Sequence, residues 1–326
     1  MKKSLILVLC FLLIMVTACS SSGSEGSFPS KSVELVAAGS PGGGLDTIAR
    51  VIDQAMTEAK LHDEPMIIKN MGGGGGNEAK AYVNKQKDAP HFLYAESNRV
   101  YVNKIVGTSD LGLDSVQPIA RMITEYLVWV VKADSPYQSA MDVLNKLKED
   151  PSSIEFGVGT IPSNDQMNIL RPAMAHGIDA KAVRIIAFKS GGDLMSQLLG
   201  GHIPIISTGA SEAMEQVKAG NARILAVSAP QPLEGDFAGV PTWQSLGLDV
   251  TILHWRGLFA PPEVSQDVVE YWDKKLGELV KTDAWKNAVE KQGWYEAYAD
   301  SATFKKELAE EAKIYEELLN ELGLAK

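Results

Sequence analysis

The stretch that decides the fold runs from residue 33 to residue 52 and reads VELVAAGSPGGGLDTIARVI. Its apolar first part, residues 33–38, predicts a buried strand, and a glycine-rich loop at residues 39–44 follows it directly. From Leu45 onward, apolar residues recur at three- and four-residue steps, which predicts a helix with one buried face. The sequence therefore predicts a strand, a glycine loop and a helix in immediate succession.

The same unit recurs along the chain. Residues 66–68 are a short predicted strand, five consecutive glycines follow at 72–76, and Asn77 opens the next predicted helix. Further strands are predicted at 92–95, 127–131, 154–157, 183–187, 203–207 and 223–228, and helices at 139–149, 192–199, 212–219, 266–280 and 303–322. This alternation indicates an α/β protein with mainly parallel sheets.

Length and two interior segments predict two domains. The chain has 326 residues, whereas one domain usually has roughly 100–200. Segments 126–132 and 251–259 look like crossings between domains. The first domain would then comprise residues 28–128 and 253–326, the second would comprise residues 129–252, and we expect the ligand cleft between them.

The N-terminus has the features of an export leader. Lys2 and Lys3 precede an apolar run that is shorter than the roughly 20 residues of a membrane-spanning helix. The following Val16-Thr17-Ala18-Cys19 resembles a bacterial lipobox. We therefore expect removal of residues 1–18, lipid attachment to Cys19, a flexible tether at 19–27 and an extracytoplasmic, membrane-anchored protein. An ordinary secretory signal cleaved nearby is the alternative.

Composition and motif spacing argue against several functions. The chain has 41 acidic and 31 basic residues, so its net charge of −10 opposes nucleic-acid binding. The five histidines show no metal-ligand spacing, no G-x-S-x-G motif occurs, and the nucleotide-binding glycine fingerprints are missing. We therefore expect no metal, no cofactor and no catalysis, and we expect a monomer.

The glycine loops themselves suggest an anion site. A loop that runs into a helix N-terminus presents unpaired N–H groups and the positive end of the helix dipole, which suits a carboxylate. The loops could instead serve only as a packing turn at 42–44 and a mobile surface loop at 72–76. Asp46 could form a surface ion pair with Arg50 or orient the first loop.

Two further strand-to-helix junctions lie in the second half of the chain, at residues 157–165 and 188–193. Ser163 and Asn164 could cap a helix or contact a ligand. Lys189 could meet a carboxylate directly. Because two loops of this type lie in each half, a cleft between the halves is the expected binding site.

The order of these motifs resembles the tripartite tricarboxylate transporter solute-binding proteins, also called Bug receptors. Residues 41–50, PGGGLDTIAR, resemble the family's P-G-G-G-x-D-x-x-A-R segment, and Asn70 with the glycines at 73–76 resembles its N-x-x-G-A-G-G loop. Residues 188–192 with 198–201, then 219–227, 240–242 and 255–261, are similar to its later landmarks. The resemblance covers essentially the whole chain after the leader.

The resemblance implies a two-domain periplasmic-binding fold that closes on a carboxylated solute and delivers it to a two-subunit membrane permease. Four segments would line the cleft, and we predict ligand contacts from Ser40, Pro41, Gly42, Gly43, Gly44, Asp46, Gly73, Gly74, Gly75, Gly76, Asn77, Thr160, Ser163, Asn164, Asp165, Lys189, Ser190 and Gly191. Three positions depart from the family pattern: Asp165 stands near where many members have histidine, Gly39 stands where several have a bulky residue, and Leu45 stands where the tricarboxylate branch often has tryptophan.

We therefore expect a receptor for a di- or tricarboxylate. A hydrolase or lyase acting on such an acid is the main alternative, and its acid–base groups would have to come from Asp46, Asp165 and Lys189. A sensory partner that presents bound ligand to a membrane kinase is another.

Overall fold

The computed structural model describes residues 28–62, 64–188 and 191–326. The predicted leader, Cys19, the tether, Lys189 and Ser190 therefore lie outside the described residues, and what the sequence suggests for them stays a prediction. No helix of the described ranges is long and apolar enough to cross a membrane.

Strands and helices alternate along the described chain. The strands are β1 (Val33–Ala37), β2 (Met66–Asn70), β3 (Phe92–Glu96), β4 (Gln117–Lys132), β5 (Glu155–Val158), β6 (Arg184–Ala187), β7 (Ile205–Gly209), β8 (Ala222–Val227), β9 (Leu253–Ala260) and β10 (Tyr295–Ala299). The helices are α1 (Gly44–Glu58), α2 (Asn77–Asn84), α3 (Arg99–Ile105), α4 (Ala140–Glu149), α5 (Asn164–Ala175), α6 (Gly191–Leu199), α7 (Ala210–Lys218), α8 (Gln266–Leu279), α9 (Asp283–Lys291) and α10 (Ser301–Glu321).

The long strand β4 joins two groups of strands. From Gln117 to Tyr126 it pairs with β9, and from Leu127 onward it pairs with β7 and β8. The first group has the order β2-β1-β3-β9-β4, with β10 also on β4, and the second continues from β4 to β7, β5 and β6. The strand β4 therefore changes its pairing partners between Tyr126 and Leu127.

Strands that lead into helices pair in parallel, namely β1 with β2 and β3, and β5 with β6 and β7. The antiparallel pairs of the described chain all include β4 or β9. Because parallel strands place their carboxyl ends at one edge, the loops after β1, β3, β5 and β7 can approach one another.

Apolar burial follows the predicted pattern on α1. Leu45, Ile48, Ile52 and Met56 are all buried, as the three- and four-residue spacing requires. Burying such side chains contributes roughly 1.5–3 kcal/mol each. This packing holds α1 against β1 and fixes the position of the intervening loop.

Two tryptophans form a rigid contact beside the second group of strands. The rings of Trp129 and Trp243 lie 4.7 Å apart, centroid to centroid, in an edge-to-face arrangement. The Trp129 indole donates to the Asn168 backbone carbonyl, and the Trp243 indole donates to the Asn168 side chain. Because both buried N–H groups are satisfied, the contact anchors α5 to β4 without an unpaired polar atom.

Candidate functional site

A cavity of about 500 Å³ opens where the loops after β1, β3, β5 and β7 meet β4 and β9. Its walls come from both groups of strands. The lining residues are Ala38, Gly39, Ser40, Pro41, Gly42, Gly43, Gly44, Leu45, Ser97, Asn98, Arg99, Glu125, Gly159, Thr160, Ser163, Asn164, Asp165, Thr208, Gly209, Glu212, His254 and Arg256.

The first glycine loop is held in place by Asp46. The Gly42 N–H donates to Asp46 Oδ2 at 2.8 Å, and Asn70 Nδ2 donates to Oδ1 at 2.9 Å. Arg50 also donates to Oδ2 at 3.0 Å. Burial by itself raises the pKa of Asp46, but these hydrogen bonds outweigh it and hold the pKa below its ordinary value. Asp46 is therefore an ionised loop support, and both sequence interpretations of it describe real contacts.

The N-terminus of α1 faces the cavity without a side-chain cap. Its N-cap residue is Gly43, and no side chain accepts a hydrogen bond there. The N–H groups of Gly44 and Leu45, which follow, have no hydrogen-bond acceptor among the described residues. Such a helix end attracts an anion through unpaired donors and the helix dipole.

Arg256 and Glu125 form a buried ion pair on the cavity wall. Arg256 Nη2 donates to Glu125 Oε1 at 2.8 Å, and the two residues are only 7% and 4% exposed. The Ser211 hydroxyl donates to the other carboxylate oxygen at 2.7 Å. Burial raises the pKa of Glu125, and the neighbouring Arg256 partly opposes that shift. The pair is therefore desolvated and depends on both partners.

Two cavity glycines make room for this ion pair. A Cβ at Gly44 would lie 2.8 Å from Arg256 Nη2, and a Cβ at Gly209 would lie 2.8 Å from Glu125 Oε2. Real Cβ atoms do not approach heavy atoms this closely. The glycine at each position therefore lets the protein's own charged side chains reach the cavity.

A second arginine lines the cavity beside the loop after β3. Arg99 donates to Glu96 Oε1 at 2.8 Å and to the Ala38 carbonyl at 2.8 Å. Glu96 is 1% exposed and also accepts from the Tyr94 hydroxyl. Burial opposes the charge on Arg99, yet Glu96 keeps the pKa of Arg99 above its ordinary value. Arg99 is therefore a charged residue whose carboxylate partner lies behind the wall.

The second glycine loop packs behind this arginine. A Cβ at Gly76, whose φ is +90°, would lie 2.5 Å from Glu96 Oε2. A Cβ at Gly73 would collide with the Glu78 carboxylate. The Asn77 side chain accepts a hydrogen bond from the Asn103 side chain and donates one to the Thr108 carbonyl. The predicted contacts of Gly73, Gly74, Gly75, Gly76 and Asn77 with a ligand receive no support from their positions, because none of them lines the cavity.

The start of α5 joins the cavity from the other group of strands. Ser163 accepts a hydrogen bond from the Gln166 N–H and so caps the helix. Asn164 accepts from the side chains of Asn98 and Tyr315 and donates to the Leu253 carbonyl. Asn164 therefore ties α5 to the loop after β3, to α10 and to β9.

Three carboxyl groups line the cavity, and they differ in their surroundings. Glu125 is paired with Arg256, whereas Glu212 accepts from the Thr208 hydroxyl. Burial and the charges of Glu212 and Glu125 raise the pKa of Asp165 to about 8, although Arg256 opposes the shift. The free cavity therefore holds Asp165 largely protonated at neutral pH.

One histidine also lines the cavity. Burial lowers the pKa of His254 well below its ordinary value, and Arg256 and Arg99 lower it further. His254 is therefore neutral at neutral pH and adds no positive charge.

The structure brings half of the predicted site residues together on the cavity wall: Ser40, Pro41, Gly42, Gly43, Gly44, Thr160, Ser163, Asn164 and Asp165. Asp46 supports the wall from behind. Gly191 begins α6, and Lys189 and Ser190 lie outside the described residues, so the predicted contacts of these three residues stay predictions.

Sequence reasoning missed eight polar residues of the wall, which are Ser97, Asn98, Arg99, Glu125, Thr208, Glu212, His254 and Arg256. One signal was present for several of them. Glu125 and Arg256 interrupt apolar stretches, and a charged residue inside a buried strand needs a partner or a ligand. Arg99 follows β3 just as the glycine loop follows β1.

Two groups of strands that share β4, with a cavity at the carboxyl ends of the parallel strands, define the class of periplasmic binding proteins. Within this class, residues 48–324 match the family model described as "Tripartite tricarboxylate transporter family receptor", TctC. The chain therefore belongs to the TctC receptor family, as its motifs predict.

Named relatives agree with this assignment. Protein BugT of Bordetella pertussis is 22% identical over 307 residues, which cover 92% of each chain. The structure of MatC from Rhodopseudomonas palustris with bound malate is 19% identical and has a TM-score of 0.76 over 90% of this chain and 100% of MatC. A second R. palustris structure, with adipate, is 19% identical and has a TM-score of 0.79 over 91% of this chain and 99% of that one. These similarities confirm the predicted periplasmic-binding fold, and the chain is a solute-binding receptor by family.

Proposed function

We propose that this protein is an extracytoplasmic receptor that binds a small organic acid in the cavity and delivers it to a two-subunit membrane permease. The family description supports a transport receptor. The malate and adipate bound to the two similar structures support a carboxylate as the ligand.

The observation that carries this proposal is the uncapped start of α1 beside Arg256. A carboxylate placed there would accept hydrogen bonds from the N–H groups of Gly44 and Leu45. The Ser40 and Thr160 hydroxyls line the same cavity and can donate as well. Donors that are fixed before the ligand arrives lose little entropy on binding.

We further propose that the cavity closes between two domains, residues 28–128 with 253–326 and residues 129–252. The change of partners in β4 at Leu127 supports a hinge there. The hydrogen bonds of Asn164 to Asn98 and Tyr315 would hold the closed state together. A ligand that contacts both walls would shift the population toward closure.

The lipid anchor on Cys19 is the remaining part of the proposal. It is tested by expressing the full chain and Cys19→Ser in a bacterial host with labelled palmitate. We expect label and membrane association for the native chain and neither for Cys19→Ser. Equal label in both proteins would overturn the anchor.

Ligand binding is tested by a thermal-shift screen of organic acids followed by calorimetry. We expect at least one carboxylate to raise the melting temperature, because a ligand that binds the folded form stabilises it. Succinamide, the neutral analogue of succinate, serves as the chemical control. Mass spectrometry should recover the ligand unchanged, whereas product formation would indicate an enzyme. Failure of every acid to bind would refute the proposal.

A matched pair of variants locates the site. Arg256→Gln removes a cation from the cavity wall, whereas Arg184→Gln makes the same change at an exposed position on β6. We expect Arg256→Gln to weaken acid binding at least tenfold, because it leaves the Glu125 carboxylate unpaired on the cavity wall, and Arg184→Gln to leave binding unchanged. The double variant Glu125→Gln/Arg256→Gln removes both charges of the pair, so no unpaired charge is left on the wall. It therefore separates a loss of affinity from a loss of folding.

A further inference from the structure

We propose that the cavity selects a ligand carrying a protonated nitrogen as well as a carboxylate, and that Asp165 and Glu212 recognise the cationic end. This inference rests on the proposed function and narrows its substrate class. It starts from the charges on the cavity wall, which are not those of a simple anion site.

Both arginines of the wall already have carboxylate partners. Arg99 pairs with Glu96 at 2.8 Å, and Arg256 pairs with Glu125 at 2.8 Å. Each pair has no net charge, so neither guanidinium is a full positive charge available to a second anionic group. Among the described residues, the wall therefore offers one end suited to a carboxylate, the N-terminus of α1.

Asp165 and Glu212 are the two acidic residues left over. Neither forms an ion pair with a cation among the described residues. Glu212 accepts from the Thr208 hydroxyl, and the Asp165 carboxyl has no hydrogen bond to the described part of the protein. A second ligand carboxylate would bring further negative charge next to Glu212, whereas an ammonium group would offset the charge of Glu212 and favour the ionised form of Asp165.

Helix capping does not explain these two positions. Acidic residues in the first turn of a helix often support its dipole, and Asp165 and Glu212 both lie in first turns. However, Ser163 provides the side-chain cap of α5, and the Glu125 carboxylate accepts from the Ser211 N–H and hydroxyl in the first turn of α7. Both carboxyl groups line the cavity instead.

The electrostatic surroundings of Asp165 agree with recognition of a cationic group. Burial, Glu212 and Glu125 raise the pKa of its carboxyl group, and Arg256 and Arg99 only partly oppose them. His254, the remaining titratable neighbour, is neutral.

The two kinds of recognition come from opposite walls. The start of α1 belongs to the first group of strands, and Asp165 and Glu212 lie on helices that follow β5 and β7 of the second. In the described ranges, no group of three or more His, Cys, Asp and Glu side chains is arranged to hold a metal ion, which favours an organic cation. A ligand with opposite charges at its two ends would therefore bridge the walls.

The test uses pairs of ligands that differ in one end group. Calorimetry compares succinate with 4-aminobutyrate and adipate with 6-aminohexanoate on the full chain. We expect one amino acid of the panel to bind at least tenfold more tightly than its diacid. Putrescine, which has no carboxylate, should not bind.

Variants assign the preference to the two acidic residues. Glu212→Gln and Asp165→Asn should each weaken binding of the amino acid at least fivefold and leave the diacid equal or stronger. Glu215→Gln, the same change at an exposed position on α7 outside the cavity, is the control and should change neither. The preference should persist in Lys189→Gln. If the preference for the amino acid appeared only in Lys189→Gln, Lys189 would be the cation that pairs with Asp165 and Glu212 in the native protein, and the proposal would be overturned.

The pH dependence distinguishes the two ligand types by sign. An ammonium group lowers the pKa of Asp165 from about 8, so binding releases a proton and affinity rises between pH 6 and pH 8. A carboxylate at the same place would favour protonated Asp165, take up a proton and lose affinity above pH 8. Asp165→Asn should remove the pH dependence in either case.

The outcomes separate this inference from the proposed function. Diacids that bind more tightly than their amino partners would overturn the inference and leave the carboxylate receptor intact. Failure of both ligand types and of all other acids would overturn both. Binding of putrescine as tight as that of the amino acids would show that no carboxylate is needed and would also overturn both.

Discussion

The most demanding test of the site is removal of Arg256 alone. Arg256 and Glu125 are both nearly inaccessible, and a 2.8 Å hydrogen bond joins them. Arg256→Gln leaves Glu125 as a buried carboxylate without its cation. Breaking a buried pair in this way typically costs about 3–5 kcal/mol, because the remaining charge has lost both water and partner.

The expected loss can be measured by thermal and urea unfolding. For a chain of this size, 1 kcal/mol corresponds to roughly 2–4 °C, so the melting temperature should fall by about 6–20 °C. Arg184→Gln, on the exposed surface of β6, should stay within about 0.5 kcal/mol of the native protein. The double variant Glu125→Gln/Arg256→Gln should recover at least half of the loss, because no charge remains buried there.

The loss should also depend on pH. Burial raises the folded-state pKa of Glu125, and loss of Arg256 raises it further. A carboxyl group whose pKa is higher in the folded than in the unfolded protein favours folding most below the unfolded pKa. The folded protein loses that stability as the pH rises. The deficit of Arg256→Gln should therefore be smaller at pH 5 than at pH 8. An equal deficit at both pH values, together with no recovery in the double variant, would refute the coupling.

Three further predictions follow from neighbouring contacts. Gly44→Ala should weaken acid binding about tenfold, because its Cβ would lie only 2.8 Å from Arg256 Nη2 and would push that atom outward. In Gly39→Ala the Cβ would meet only Leu45, at 3.7 Å, so the melting temperature of that variant should stay within 2 °C (roughly 1 kcal/mol) of the native value. Asp165→Asn should stabilise the ligand-free protein by roughly 1–3 kcal/mol at pH 8 and not at pH 4, because the native carboxyl has a pKa of about 8, and equal melting temperatures of the two proteins at pH 8 would contradict this. Asn164→Ala should weaken ligand binding and lower the melting temperature, because it leaves several polar partners unpaired, and unchanged calorimetry would argue against a closing contact.

Local patterns predicted the elements that touch the cavity. β1, the glycine loop and α1 lie together in residues 33–58, so apolar spacing and glycine content were sufficient to place them. The cavity wall at Thr160 and Asp165 followed from the same strand-to-helix logic at β5. These residues needed no information about distant parts of the chain.

Longer-range pairing could not be derived in the same way. The strand predicted at 127–131 is only the second half of β4, because Thr124 and Glu125 interrupt its apolar pattern. The short β10 was missed, since its five residues pair only with β4, far away in the sequence. Arg256 meets Glu125 because β9 runs antiparallel to β4, and nothing local to either strand predicts that register.

The two glycine loops show why composition alone does not identify a binding loop. Both follow a strand and precede a helix, and both contain glycines with positive φ. At the second loop, the Glu78 and Glu96 carboxylates occupy the space that the missing side chains leave, so the loop packs against the protein. At the first loop, Arg256 occupies the space at Gly44, but no acceptor in the described part of the chain satisfies the helix amides beside it.

The first loop therefore combines two functions of glycine that are usually considered separately. Absence of Cβ at Gly44 admits the guanidinium of Arg256, while Gly43 leaves the helix N-terminus uncapped. Because Glu125 neutralises that guanidinium, the attraction for a carboxylate at this wall comes chiefly from the helix amides. The acidic wall opposite then decides which carboxylates are accepted, since it favours those that carry a positive charge at their far end.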